Sequence, residues 1–278
     1  MSGRDVFEFI NKQDEATVQS LINRLEFRGN DPTFVGYRDA YVDRMGLSAS
    51  AAVLDIGCGT GVFARALARR PGFSGSITAV DQSDALVDAA RQRASDEGLQ
   101  QRIDFRVGDA HRMEFAEASF DAVVAHTLLS HVTDPLAVLG EAARVVRPEG
   151  IVAVFDGDYA SWTFGCSDPA LGKAMEEGII SVVVSKPRVM RDLPRLLRMT
   201  GLDLTDLLAF VYVDVGHGKF FPGAADAYAP LVARAGLVPT QQVDAWLREQ
   251  RQAAADGTFF AACNYYAYLS RLSQETRV

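Results

Sequence analysis

Cysteine, basic clusters and long apolar runs are all scarce in this chain of 278 residues, and each scarcity removes a class of protein. The three cysteines, Cys58, Cys166 and Cys263, lie far apart, with neither a CxxC pair nor a disulfide-framework spacing. That pattern suits a reducing compartment. The densest group of cationic residues is Arg65, Arg69 and Arg70, which reads as a solvated helix face, and the formal net charge is −8. Nucleic-acid binders draw most of their affinity from neutralised phosphates, so DNA or RNA is not an expected partner. Apolar runs such as 179–184 fall far short of the ~18 residues that span a bilayer. The N-terminus, Met1-Ser-Gly-Arg-Asp-Val-Phe-Glu-Phe, lacks the basic start and apolar core of a secretory signal, which points to the cytoplasm. There is no HExxH and no clustered His/Asp/Cys set, so no metal is expected.

What is present is an alternation. Residues 1–50 read as helical: Val18, Leu21, Ile22 and Leu25 share one helix face, Gly29-Asn30-Asp31-Pro32 breaks the pattern, and a second helix runs from Phe34 to a stop at Gly46. Short apolar strands then alternate with amphipathic helices: strands at 52–56, 76–80, 103–107, 120–125 and 151–155, helices at 62–70, 84–97 and around 136–145. The turn Arg147-Pro148-Glu149-Gly150 precedes the fifth strand. Strands apolar on both faces and separated by helices predict a parallel sheet covered on two sides. Further on, 160–200 reads as helical, 207–215 as a strand, 217–251 as helical with breaks at Pro222 and Pro230, and 258–269 as a final aromatic-rich strand.

The stretch 53–61, Val-Leu-Asp-Ile-Gly-Cys-Gly-Thr-Gly, ends the first strand and opens a helix. Glycines there allow a sharp turn and a close ligand approach. The spacing is GxGxG, Val62 stands where GxGxxG needs its third glycine, and no GK[ST] follows. A dinucleotide fingerprint and a phosphate-gripping P-loop are therefore disfavoured. Asp81, at the end of the second strand about 20 residues beyond the glycines, is placed to hold ribose hydroxyls. A carboxylate can accept both hydrogen bonds of a vicinal diol. The third strand ends at Gly108-Asp109-Ala110, and the fourth leads into His126-Thr127-Leu128-Leu129-Ser130-His131.

Over residues 37–156 this pattern resembles the class I S-adenosylmethionine-dependent methyltransferases, and it is similar to those acting on ubiquinone and menaquinone precursors and on small natural products. Pro148-Glu149-Gly150 departs from the family's usual Pro-Gly-Gly. The resemblance implies an α/β, Rossmann-like, doubly wound seven-stranded sheet: five parallel strands plus two late strands, the last antiparallel, with helical N- and C-terminal cap insertions. It implies a helical cap over 1–46 and a methyltransferase domain over 47–278 with substrate-side insertions at about 160–200 and 217–256. S-Adenosylmethionine is the implied cofactor, S-adenosylhomocysteine its product. Implied cofactor contacts are Tyr37, Asp55, Gly57, Cys58, Gly59, Gly61, Asp81, Gln82, Asp109 (toward the adenine amine), Ala110 and His126.

Each position also has a plainer role. Asp55 could bind only loop amides, Cys58 could be filler, and Ser83 is a better helix cap than Asp81. His126, His131 and His217 are candidate general bases, while His111 reads as solvated. The expected reaction moves the cofactor's methyl to carbon or oxygen of a small, apolar or aromatic acceptor. The alternative is a cofactor-binding protein with a pericyclic, isomerase or scaffold role. No NPPY-like motif follows the fourth strand, which argues against amine methylation of adenine or glutamine. A homodimer is a candidate assembly.

Overall fold

The computed structural model describes Ile10 and residues 14–273; the part of the N-terminal helical expectation on 1–9 and 11–13 lies outside the described residues. Helix α1 (Glu15–Asn30) starts where the Asp14 carboxylate accepts the Thr17 amide at 2.8 Å. It ends against α2 (Pro32–Met45), whose cap Asp31 accepts the Thr33 and Phe34 amides. Pro32 suits that first turn because its missing N–H would be unpaired there anyway. Gly46 closes α2 in the left-handed conformation. Val18, Leu21, Ile22 and Leu25 pack together, as the spacing predicts.

The alternating core follows: β1 (Val53–Ile56), α3 (Val62–Ala68), β2 (Ile77–Asp81), α4 (Asp84–Asp96), β3 (Ile103–Val107), β4 (Phe120–His126), α5 (Pro135–Val145) and β5 (Val146–Phe164). After it come α6 (Pro169–Val183), α7 (Val189–Met199), β6 (Leu202–Gly216), α8 (Phe221–Arg234), α9 (Thr240–Asp256) and β7 (Phe259–Leu272). The strands form one seven-stranded sheet in the order β3-β2-β1-β4-β5-β7-β6, with β7 antiparallel to both neighbours. One core packs α3, α4, α6, α8 and α9 on one face, and a second packs α5 and α7 on the other. The doubly wound expectation is met. The order reverses between β1 and β4, so their C-terminal ends splay apart and open the crevice where such sheets bind ligands.

Four expectations need correcting. Strand β5 does not stop at 155 but runs to Phe164, so Trp162 and Phe164 are strand residues and not part of a helix. Its extension is held by β7, more than 90 positions away, through pairs such as Thr163↔Ala262 and Phe164↔Ala261. The Pro148-Glu149-Gly150 stretch lies inside β5 and is accommodated by a register shift against β4. Pro230 does not break α8, which α6 and α9 brace from both sides, and Pro222 sits in its first turn. Arg65 is not solvated: it is 5% exposed and pairs with Glu26 and Glu97.

The start of α8 is fixed from a distance. The buried Asp214 carboxylate on β6 accepts the amides of Lys219, Phe220 and Phe221 at 2.7–2.9 Å. Replacing it leaves three donors unsatisfied, so Asp214→Ala should cost about 2 kcal/mol and lower Tm by roughly 5 °C. A thermal melt checks this; an unchanged Tm would mean that water replaces the carboxylate freely.

Candidate functional site

A cavity of about 350 Å³ opens at the C-terminal ends of β1, β2, β4 and β5. Its floor is the glycine turn. Gly57 has φ +67°, a left-handed conformation that disfavours any side chain, and a Cβ there would also run into the Leu128 side chain. The backbone therefore has to be bare where it bends. Thr127, just after β4, is held at φ +58°, a conformation that costs a β-branched residue about 1 kcal/mol or more. Its amide donates to the Phe155 carbonyl at 2.6 Å, and this turn delivers Leu128 onto the glycine.

Asp81 organises the next wall. One carboxylate oxygen accepts the Gly59 amide at 2.8 Å and the other accepts Ser83 N at 3.0 Å. Each oxygen keeps a second lone pair for a ligand. Ser83, not Asp81, caps α4, in agreement with the sequence. Burial raises the Asp81 carboxyl above its usual range, against the pull of the Ser83 and Gly59 amides. At the far end, Asp109 accepts the His111 amide at 2.9 Å and faces His111 Nδ1 at 2.6 Å. Burial opposes its charge, but the His111 amide and ring hold the Asp109 carboxyl below its usual range. His111 is therefore not simply solvated: its other ring nitrogen faces the Thr133 hydroxyl and the Asp134 amide.

Asp55 is the anomaly of the site. It is fully buried on β1, lines the cavity, and neither oxygen has a partner at good hydrogen-bond geometry, the Ala64 amide exerting only a weak pull. Burial, then the neighbouring Asp81 charge, push its carboxyl well above the ordinary range, with the Ala64 amide working the other way. An unsatisfied carboxyl facing a cavity is costly and fits a cationic ligand group. With a bare glycine turn beside it and a diol-ready carboxylate one strand over, the wall matches the amino-acid and ribose ends of S-adenosylmethionine.

The remaining candidates divide. Cys58, Gly59, Gln82, Ala110, His126 and His131 line the cavity. Gly61 lies behind it as the cap of α3, with φ +76° and no room for a Cβ beside Phe105. Tyr37 lies outside: its ring stacks on Phe210 at 4.4 Å and its hydroxyl donates to the Val211 carbonyl. His217 also lies outside, bound to the Ala254 carbonyl through Nδ1. The edge strand that carries it is two places from β5. His126 stacks on Phe155 at 4.9 Å, with Nδ1 2.8 Å from the Tyr41 hydroxyl. Burial, followed by Arg28 and Arg38, pushes its pKa well below the usual value, so it stays neutral. His131 meets Tyr159 edge-on, and burial raises the carboxyl of Asp156 above its usual range, against the pull of His131 and the Ser130 amide.

Several lining residues carry no motif. Arg24 and Arg28 come from α1, Phe34 and Arg38 from α2, Tyr159 and Trp162 from β5, Phe220 and Tyr228 from around α8, and Tyr265 from β7. Tyr159 and Trp162 enter the cavity through an irregularity between Asp158 and Thr163 in the β5–β7 pairing. Such a bulge re-aims side chains out of the regular alternation. Glu26 of α1 ties the site together, accepting from the Thr60 hydroxyl of the glycine turn at 2.5 Å and from Arg65 at 2.7 Å.

Known proteins agree with this geometry. The family model described as a methyltransferase domain matches residues 54–154. The chain is 31% identical over 205 residues to the methyltransferase GfsG of Streptomyces halstedii, spanning 73% of this chain and 70% of that protein. It is 32% identical over 121 residues to the demethylmenaquinone methyltransferase of Lactobacillus johnsonii, but over only 44% of this chain and 50% of that enzyme. The solved geranyl diphosphate C-methyltransferase of Streptomyces coelicolor A3(2) superposes with a TM-score of 0.54 at 18% identity, covering 86% of this chain and 77% of that one. At that identity the likeness speaks for the fold alone. Glycine turn, acidic strand ends, sheet order and an extended match to GfsG converge, and the chain belongs to the class I S-adenosylmethionine-dependent methyltransferases.

Proposed function

We propose that this methyltransferase acts on a small, largely apolar or aromatic organic acceptor, at carbon or oxygen. The observation that carries the reading is the cavity beyond Asp55, walled by Phe34, Tyr159, Trp162, Val183, Phe220, Tyr228 and Tyr265. Small-molecule pockets are apolar in this way, with a few polar groups that orient the ligand. The quinone-precursor activities in the names of two relatives, a demethylmenaquinone methyltransferase and a ubiquinone biosynthesis O-methyltransferase, support it. Asp55 would hold the cofactor's ammonium, Asp81 the ribose hydroxyls, and Asp109 with Ala110 the adenine. The helical segment up to residue 46 and the segments at about 160–200 and 217–256 form the acceptor side.

When bound, the cofactor supplies a methyl already activated on a sulfonium, so the protein's work is alignment and exclusion of water. Asp55, Asp81 and Asp109 would hold the cofactor so that its methyl faced an acceptor atom among the aromatic walls, water being excluded. An acceptor hydroxyl or acidic C–H loses a proton. His131 is the better-placed base: it lines the cavity against Tyr159 on the acceptor side, whereas the His126 ring is stacked on Phe155 with Nδ1 on the Tyr41 hydroxyl. For such an acceptor, His131→Ala should lower kcat about 10²-fold and leave the affinity for S-adenosylhomocysteine within twofold. Activity that recovers at a pH where the acceptor ionises unaided supports the role; an unchanged kcat rejects it.

Tritium transfer from labelled cofactor into a small-molecule extract of a lysate tests the whole reading. Label found only in macromolecules would overturn it, and cofactor binding without transfer would favour the pericyclic, isomerase or scaffold role. No helix among the described residues is long and apolar enough to cross a membrane. A cytoplasmic enzyme that does not act on nucleic acid accords with the acidic balance and dispersed cysteines. A homodimer is supported by the exposed aliphatic stripe Leu207, Val211, Val213 and Val215 on edge strand β6. Light scattering at micromolar concentration tests it.

A further inference from the structure

The charged groups of the cavity fall in two places, with Arg38 of α2 lying near His126. Asp55, Asp81 and Asp109 stand at the cofactor end, while Arg24 and Arg28, one turn apart on α1, stand among the acceptor-side aromatics. Arg24 is engaged: Nε donates to the Tyr228 hydroxyl at 2.7 Å, and its guanidinium lies over Phe220 and Tyr228. Arg28 is not. Its guanidinium lies 4.7 Å over the Phe34 ring and 5.4 Å over that of Tyr265, and Nη1 reaches the Tyr159 hydroxyl at 3.4 Å. Nη2 is buried without a hydrogen-bond partner. The nearby Asp156 carboxylate accepts from Ser130 N, Ser130 Oγ and Gly157 N and makes no hydrogen bond to this nitrogen.

A buried guanidinium stays charged at any accessible pH, and leaving one of its donors unmade costs more than a neutral group would. Two mutually perpendicular rings flank it at cation–π distance and hold it in place, so its position is set before an anion arrives. The Tyr159 hydroxyl accepts from Arg28, which frees its own proton to donate in turn. We propose that the acceptor carries a carboxylate and that Arg28 binds it, with the Tyr159 hydroxyl as second donor. This rests on the small-molecule reading above and narrows it to an aromatic or otherwise apolar acid. The acid end sits against α1, and the apolar body lies among Trp162, Phe220 and Tyr265.

Calorimetry on the protein saturated with S-adenosylhomocysteine tests it, with 1-naphthoate and its neutral analogue 1-naphthamide as probes. The wild type should bind the carboxylate at least tenfold tighter than the amide. Arg28→Met should erase that preference while still binding the amide, Arg28→Lys should keep part of it, and Tyr159→Phe should reduce it several-fold. All three variants should bind S-adenosylhomocysteine within twofold of wild type, which also shows that they fold. A wild type with no preference for the carboxylate, including one that binds neither probe, overturns the proposal, as does a preference that survives Arg28→Met. A tenfold or greater loss of S-adenosylhomocysteine affinity in Arg28→Met overturns it too, by assigning the arginine to the cofactor's own carboxylate. Failure of wild type to bind S-adenosylhomocysteine would instead strike at the cofactor assignment beneath both readings.

Discussion

Asp81→Ala should weaken S-adenosylhomocysteine binding by roughly 10²–10⁴-fold, because two charge-assisted hydrogen bonds of about 1.5–3 kcal/mol each disappear together. The carboxylate acts twice. It grips the Gly59 amide at 2.8 Å, fixing the turn, and presents its free lone pairs to the ligand. Asp81→Asn separates the two roles. An amide can still accept through its single oxygen, so this variant should bind more tightly than Asp81→Ala yet well short of wild type. Titration calorimetry checks the order wild type, Asn, Ala. Equal affinities for the Asn and Ala variants would mean that Asp81 works through the ligand's diol alone and not through the turn. Affinity within threefold of wild type for Asp81→Ala would remove Asp81 from the cofactor site altogether.

The cofactor half of the site was legible because its determinants are local. A strand end, a glycine turn and an acidic residue at each following strand end are written in consecutive residues, and the parallel sheet brings them together with no further information. Thus Asp81 was located from spacing, and Asp55, Asp109 and His126 from the family resemblance that the motif order carries; all four line one cavity. The acceptor half depends on contacts that spacing does not encode. Arg28 and Tyr159 meet across 131 positions, and the Tyr159 and Trp162 side chains enter through a bulge in a strand that looked like a helix. Rotation misled in a smaller way: on α2, Phe34, Arg38 and Tyr41 share the inward face, while Tyr37 sits on its flank and turns toward β6. His217 follows a strand whose end does reach the cavity, where Phe220 lines it, but its own ring turns away onto the Ala254 carbonyl of α9.

The two halves obey different physical demands. The cofactor end carries stored electrostatic cost, with a buried Asp55 whose oxygens have no partner at good geometry and an Asp81 whose charge is disfavoured by burial. The acceptor end is a packed aromatic shell in which hydroxyls and guanidinium edges meet one another, and its cost is confined to the unpartnered Arg28 Nη2. Costs of that kind cluster where a ligand relieves them.

Asp55 turns that principle into a prediction with two opposite signs. Asp55→Val replaces a poorly partnered buried carboxyl by a strand-favouring side chain of similar shape, so the ligand-free protein should gain about 1–3 kcal/mol of stability. The same change should cut S-adenosylhomocysteine affinity about 10²-fold, because the ammonium loses its counter-charge. The pH dependence follows from the raised carboxyl. A carboxyl raised by folding stabilises the fold below its ordinary value near 3.8 and loses that contribution as pH climbs to the raised value. Through that window the wild-type ligand-free Tm should therefore carry a falling component that Asp55→Val lacks. Ligand binding has the opposite slope: an ammonium favours the ionised carboxylate, so binding releases a proton there and affinity rises with pH. Calorimetry in two buffers of different ionisation enthalpy counts that proton, and melts of both proteins across the window give the stability slope. A variant that loses stability as well as affinity would show that Asp55 is held by the fold's own amides, which would return it to the purely structural role that its place inside β1 also allows.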